Sequence, residues 1–465
     1  MLLAFLLHLW LKYAAINQGY FMTRQLFSPS NEPDLVLSDK LPKVELHVHN
    51  KGTITHELAS ELAKRHEVKL PAGLFNKDGK YQFSDFLDFL KKYDQVAALV
   101  RTPQDVGDVV YDYLKRCHAQ GAIYVEITCS PYHARTVGLS YEQFVNALAL
   151  AIDRAQQAFG IESRLLMTFL RHETAERNQE VLEDILAYRH PYVVGINLAG
   201  DEAQPLDAFV PLYRRAREAG LKCTAHIGEH CNAKEMRLAI SQLQPTRIGH
   251  GIHCQNDDAL IDFLKENNIG IEVCPGSNIA LGLTKSRQDH PFKKLYQRGL
   301  LVSLNSDDPP FFATSIGDEY DQARCAWKMS DQDLLEITRR AMKSAFCHPA
   351  LAKKCESQIK LFVAWRTFRD LLLRNSSHYR FNEVNRFSLQ YQQRPSTSHV
   401  FELHRSVIAS FDPWSDLVEV SSNLLSAHQQ FKLDKSSSHT VNDRALQAFM
   451  NCQSHKAPMM PRATP

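Results

Sequence analysis

The sequence predicts an α/β chain folded as a (β/α)8 TIM barrel, with a helical insertion after strand one and extra C-terminal helices. Three observations carry this. Eight short runs rich in β-branched and apolar residues recur through the middle of the chain, at 44–49, 123–130, 164–172, 193–200, 222–229, 247–252, 269–275 and 301–308. Amphipathic stretches of helical period, such as 141–159, 206–220 and 257–268, lie between most of them. Strands alternating with helices imply parallel strands joined by helical crossovers. The eight runs span about 265 residues, close to the roughly 250 of a barrel of this kind.

The first run ends in His47 and His49. In an extended strand, residues i and i+2 share a face, so this pair can offer two imidazoles to one point. The crossover that follows, residues 50–121, is long and holds several helical segments, including 56–66 and a run with Phe83, Phe86 and Phe89. Aromatic residues three apart on a helix share a face and pack together. Because this insertion leaves the C-terminal end of strand one, they are expected at the barrel's mouth. After Asp308 the pattern is helical again to about residue 375. The barrel unit is therefore set at 41–380, preceded by an extension over 1–40 and followed by an extension of unassigned role over 381–430. Residues 431–465, rich in Ser and Pro, are expected to be disordered.

Composition narrows the function. Of 465 residues, 44% are hydrophobic and 23% charged, as in an ordinary globular protein. The net charge of +2 argues against a general nucleic-acid or polybasic membrane role. Ten cysteines without CxxC spacing read as reduced, cytoplasmic protein. Cys223, Cys254 and Cys274 fall in or beside apolar runs and are expected to be small buried hydrophobes. The apolar residues 1–12 are too short to span a membrane, which takes about twenty residues. They lack a basic start and a cleavage site, so an over-extended reading frame, with Met22 as the alternative start, is expected over secretion.

The polar residues at the strand ends form a consistent set, and in such barrels the active site gathers at those ends. Strand one ends in His47 and His49, strand four in Leu-Ala-Gly-Asp-Glu202, and strand five in His226-Ile-Gly-Glu229. Strand six carries Gly249-His-Gly-Ile-His253 and strand eight ends in Asn305-Ser-Asp-Asp308. A catalytic zinc site uses nitrogen and oxygen ligands and leaves one position open. His47, His49, His226 and Asp307 fit that description.

Six motifs then stand in order: Pro-Lys-Val-Glu-Leu-His-Val-His, Leu-Ala-Gly-Asp-Glu, His-x-Gly-Glu, Arg-Ile-Gly-His-Gly, Glu-Val-Cys-Pro-x-Ser and Ser-Leu-Asn-x-Asp-Asp-Pro. Together they resemble the adenosine/adenine/AMP deaminase family of the metal-dependent amidohydrolases, over roughly residues 40–345. The resemblance implies one Zn2+ per chain on His47, His49, His226 and Asp307. It implies that Glu229 protonates N1 of a purine and that His250 orients or deprotonates the attacking water. Asp308 would hold N7 and the backbone N–H of Gly200 would meet N3. The chemistry needs these types. Attack at C6 breaks aromaticity and loads electron density onto N1, which a carboxylic acid relieves by donating a proton, typically worth 10²- to 10⁴-fold. Between His226 and Glu229 the chain must leave the strand at Ile227-Gly228, where glycine permits the turn. Glu45 and Lys43 are read as interior or surface residues rather than catalysts.

The sequence departs from the family just after His49. Adenosine deaminases usually carry Asp, and adenine deaminases Glu, where this chain has Lys51. Lys51 is expected either to face an anionic or electron-rich substrate substituent or to point to solvent. The expected activity is zinc-dependent hydrolytic deamination of a 6-aminopurine nucleoside, adenosine-like, to the 6-oxo product and ammonia. The alternatives are adenine, AMP or an N6-substituted AMP as substrate, and a catalytically retired binding protein. The expected partner is a small purine, with no nucleic acid and no membrane span; the oligomeric state stays open.

Overall fold

The computed structural model describes residues 40–375. The N-terminal apolar stretch and the extensions expected over 381–430 and 431–465 lie outside the described residues. Within them, residues 40–362 belong to one compact unit.

Nine strand segments form the barrel wall. They are β1 Lys43–Glu45, β2 Ala122–Cys129, β3 Glu162–Leu170, β4 Val193–Ala199, β5 Lys222–Cys223, β6 His226–Ile227, β7 Arg247–His250, β8 Gly270–Val273 and β9 Val302–Leu304. All pairings are parallel, in two runs, β1 to β5 and β6 to β9. The segments β5 and β6 are one barrel strand interrupted at Thr224-Ala225. The wall continues across that break through Thr224 N–H to Ile196 O (3.0 Å) and Gly249 N–H to Ala225 O (2.8 Å). At the other seam a parallel bridge joins Val48 to Asp307, with Asp307 N–H donating to His47 O and His49 N–H to Asp307 O, both 3.1 Å. Eight strands in parallel order are the (β/α)8 TIM-barrel fold. Their central residues, among them Val125, Leu165, Ile196, Ile248, Ile271 and Val302, are buried, as parallel strands covered on both faces require.

One expected strand is corrected, and another ends at the turn the sequence implied. The first is regular only over Lys43–Glu45, because the Leu46 amide donates to the side chain of Asn305 (2.8 Å) instead of to a neighbouring strand. The fifth ends at Ile227, where Gly228 turns with φ +83 and a Cβ would lie 2.5 Å from Met236 Sδ. Only glycine fits both the conformation and the space. Glu45 and Lys43 are interior. Glu45 accepts from the Ser306 amide (2.9 Å), and Lys43 Nζ donates to Leu41 O (2.9 Å) and Gln120 O (2.6 Å).

The insertion after β1 holds helices His56–Arg65, Phe86–Ala97 and Pro103–Ala119. Thr55, Asp85 and Thr102 cap them, the last in a reciprocal capping box with Asp105. Phe86 and Phe89 lie on the middle helix, and Phe89 packs on Phe311 and Phe312 at ring distances of 5.4 and 5.1 Å. Past β9 come helices Ile316–Trp327, Asp331–Ser344 and Pro349–Asn375. Among the described residues no helix is long and apolar enough to cross a membrane.

Candidate active site

The C-terminal strand ends bring His47, His49, His226 and Asp307 together, one ligand-type atom of each lying within 4.8 Å of the others. The Nε2 atoms of His49 and His226 are 3.2 Å apart, and Asp307 Oδ1 lies 3.4 Å from His47 Nε2 and 3.3 Å from His49 Nε2. The surroundings aim these nitrogens at one point. His226 Nδ1 lies 3.0 Å from the carbonyl of Leu198, which can only accept, so Nδ1 carries the proton and Nε2 the lone pair. His47 Nδ1 lies 2.8 Å from Glu272 Oε2, and its Nε2 is buried with no hydrogen-bond partner. Burial pushes the Glu272 carboxyl up, but Arg247 and His47 outweigh it and hold it at about 2. An ionised Glu272 therefore takes the Nδ1–H of His47. Converging lone pairs, an orphaned buried imidazole nitrogen and a carboxylate fit a metal ion held by nitrogen and oxygen. Cys274 lies close enough to join a second grouping with His47, His250 and Asp307, but burial pushes its thiol well above the usual range. It packs as a small hydrophobe, and Cys223 and Cys254 are likewise buried.

Behind this cluster runs a buried charge chain. Arg247, fully buried, donates from Nε to Glu272 Oε1 (2.5 Å), from Nη2 to Glu126 Oε2 (2.6 Å) and from Nη1 to Ser344 O (3.0 Å). A buried pair of this kind holds position only when its hydrogen bonds are complete, as they are here.

Glu229 and His250 face the cluster. Burial pushes the Glu229 carboxyl well above the usual range, and the negative charges of Asp307 and Glu202 add to it. Glu202 accepts the amides of Glu229 (3.2 Å), His230 (2.8 Å) and Cys231 (2.7 Å), which ties down the turn that carries Glu229. His250 Nε2 lies 3.6 Å from Glu229 Oε2 and 3.8 Å from Asp307 Oδ2. Its other nitrogen is set by a directed chain. The Phe292 amide donates to His290 Nδ1 (3.1 Å), so His290 Nε2–H donates to Asn278 Oδ1 (3.1 Å) and Asn278 Nδ2–H to His250 Nδ1 (3.2 Å). Burial holds the His250 imidazole down at about 3, so it is neutral, and the remaining N–H is on Nε2. His250 and Asp307 both have positive φ, +59 and +64, a left-handed backbone costing about 1 kcal/mol each in non-glycine residues.

These groups line a cavity with about 70 Å³ of free space. Gly200 and Asp308 are on its wall, Gly200 at φ +104, and Asp308 Oδ1 is buried without a hydrogen-bond partner. Gly52 makes room for Asp308, since a Cβ there would stand 1.6 Å from Oδ1. Phe86, Phe89 and Tyr93 form the apolar side; Phe83, expected with them, precedes the helix and packs on Phe89 and Phe312 without lining the cavity. A larger surface groove of about 610 Å³ lies between helices Ala233–Leu243 and Asp258–Glu266. It borders Thr246 and Ile269, at the opposite ends of β7 and β8, and holds none of the clustered residues.

Lys51 is the exception, and both readings of it are corrected. It is only 2% exposed, inside the single turn Asn50–Thr53, so it does not point to solvent. Nor does it line the cavity. Burial pushes its ammonium down to about 7, against weak opposing pulls from Cys129 and Asp105. Glu202, Glu272, Arg247 and Asn278 were missed as supporting residues, although all four sit in or beside the recognisable motifs. His290, His133 and Asp94 lie outside any motif and carry no local signal.

Comparison with known proteins shows the family and the fold. The family described as Adenosine deaminase matches residues 42–361. An adenine deaminase of Sinorhizobium medicae is 41% identical over 307 residues, covering 66% of this chain and 94% of the relative. The solved adenine deaminase from Arthrobacter aurescens superposes with a TM-score of 0.65 at 32% identity, covering 70% of this chain and 99% of that one. The N6-methyl-AMP deaminase of Arabidopsis thaliana does so with a TM-score of 0.61 at 25% identity, covering 69% and 97%.

Proposed function

The chain belongs to the adenosine deaminase family of metal-dependent hydrolytic deaminases, and we propose that within it the enzyme deaminates adenine, the free base, with one zinc ion held by His47, His49, His226 and Asp307. The observation that carries the choice of substrate is the charge of the cavity wall. Asp94, Glu229, Asp307 and Asp308 line it, and among the described residues no lysine or arginine does. A nucleotide phosphate would find no side-chain cation there to offset its desolvation, a costly arrangement in a closed site. The adenine deaminases among the similar proteins support the base over the expected nucleoside.

The zinc ion, when bound, makes water nucleophilic at neutral pH by lowering its pKa from 15.7 to about 7. The chain's own groups do the rest. Asp308 meets N7 and the backbone N–H of Gly200 meets N3, which turns C6 toward the cluster. His250 presents Nε2–H, so it orients the water and does not take its proton. As the water oxygen adds to C6, Glu229 gives its proton to N1. The C6–N6 bond then breaks and a 6-oxopurine, hypoxanthine, remains. Of the water's protons, one leaves with ammonia and the other returns to Glu229.

Nine cysteines are free among the described residues, which supports a reducing compartment, and we place the enzyme in the cytoplasm. The test is a panel of adenine, adenosine, AMP and N6-methyl-AMP. Adenine should give the highest kcat/KM by at least tenfold. A higher value for AMP or N6-methyl-AMP would overturn the reading of the wall.

A further inference from the structure

Two side chains on the cavity wall play no part in the reaction just described. His133, on the short helix Pro131–Thr136 after β2, is 8% exposed, and its Nε2 lies 3.2 Å from Asp94 Oδ1 on helix Phe86–Ala97. Its Nδ1 is buried with no hydrogen-bond partner. A carboxylate only accepts, so Asp94 takes the Nε2–H and leaves Nδ1 of the neutral imidazole as an acceptor. A buried acceptor without a donor costs about 1–3 kcal/mol, and a ligand that brings the donor recovers it.

The order of strands around the barrel says which purine atom arrives there. On the reading above, N1 faces Glu229 after the fifth barrel strand, N3 faces Gly200 after the fourth, and N7 faces Asp308 after the eighth. N9 lies between N3 and N7 on the side away from C6. It therefore points to the arc of strands one to three, where Thr128, Ser130, His133 and Thr168 line the wall. In a free base N9 carries a hydrogen; in a nucleoside it carries the sugar.

We propose that His133 Nδ1 accepts the N9–H of the free 6-aminopurine, with Asp94 fixing the tautomer that makes this possible, so that this pair selects base over N9-substituted purine. The proposal rests on the adenine deaminase reading. It makes His133 a specificity residue and Asp94 its positioning residue. A site built to bond a substrate N–H rejects the analogue lacking it far more strongly than an apolar pocket does, because the protein group is left unpaired.

The probes are adenine and 9-methyladenine, compared by kcat/KM in the zinc-loaded full chain. Wild type should prefer adenine by at least 100-fold. His133→Leu should cut that preference at least tenfold, chiefly by losing adenine turnover. Asp94→Asn should cut it in the same direction. Asp94 is half-exposed, so this second variant decides the matter if His133→Leu does not fold. Adenine turnover with an unchanged preference in the variants overturns the contact and leaves the deaminase reading standing. Equal use of both purines by wild type also overturns it. No turnover of any purine by wild type overturns the deaminase reading and the contact with it.

Discussion

Asn278 donates from Nδ2 to Nδ1 of His250 at 3.2 Å, and the direction of that bond is set three groups away by the backbone amide of Phe292. A backbone N–H cannot reverse, so each partner in the chain has one allowed role, and His250 must turn Nε2–H toward the site. This supports the proposed role of His250 as an orienting donor. Asn278→Leu should therefore lower kcat about 10- to 100-fold at near-normal KM, with zinc content retained. A steady-state comparison together with metal analysis checks it, and wild-type kcat would remove Asn278 from the account.

The same logic applies on the metal side, where Glu272 holds Nδ1 of His47 at 2.8 Å. Carboxylates behind ligating histidines typically contribute 10- to 100-fold in metal affinity. Glu272→Gln should weaken zinc retention by about that factor against a competing chelator. Unchanged affinity would show that His47 needs no help to present Nε2.

Gly52 is the residue next to Lys51, and it lies against Asp308 with no room for a Cβ. Gly52→Ala should push the Asp308 carboxyl out of place and raise KM for adenine at least tenfold, with zinc still bound. A variant with normal KM would argue that Asp308 does not touch substrate.

Asp105 gives a prediction about stability that is independent of the site. Burial pushes its carboxyl up, but the Arg101 amide, His66, Thr102 and Arg65 outweigh this and hold it at about 2. A carboxyl lowered in the folded state stabilises above its unfolded value near 4, and that contribution is lost as pH falls through about 2. The shift corresponds to about 2 kcal/mol. Asp105→Asn should melt lower than wild type at pH 6, and the gap should close as the pH falls from 5 toward 2. A gap that is constant with pH would assign the loss to the cap's geometry and not to its charge.

Much of this was legible in the sequence because its signals are local. Apolar runs of strand length and amphipathic runs of helix length implied the barrel, and the strand ends pointed to His47, His49, His226, Asp307 and Glu229, which the fold brings together. The turn at Gly228 was legible, but the short first strand was not, since it arises where the Leu46 amide meets the distant Asn305. Lys51 was misread for a related reason. Its place two residues past His49 suggested contact with substrate, but the tight turn Asn50–Thr53 buries it, and it is not among the residues lining the cavity. The chain through His290 and Asn278, and the pair of His133 with Asp94, join residues from different loops. No spacing within one segment encodes them.

The central claim is that metal-dependent acid catalysis by Glu229 deaminates adenine. The most direct measurement follows ammonia and hypoxanthine from adenine in wild type and Glu229→Gln, each stripped by chelator and then titrated with zinc. Wild type should regain activity in proportion to zinc and saturate at about one ion per chain, while Glu229→Gln should bind the same zinc and stay below a thousandth of the wild-type rate. Turnover by the stripped enzyme, or more than a tenth of the wild-type rate in zinc-loaded Glu229→Gln, would contradict it.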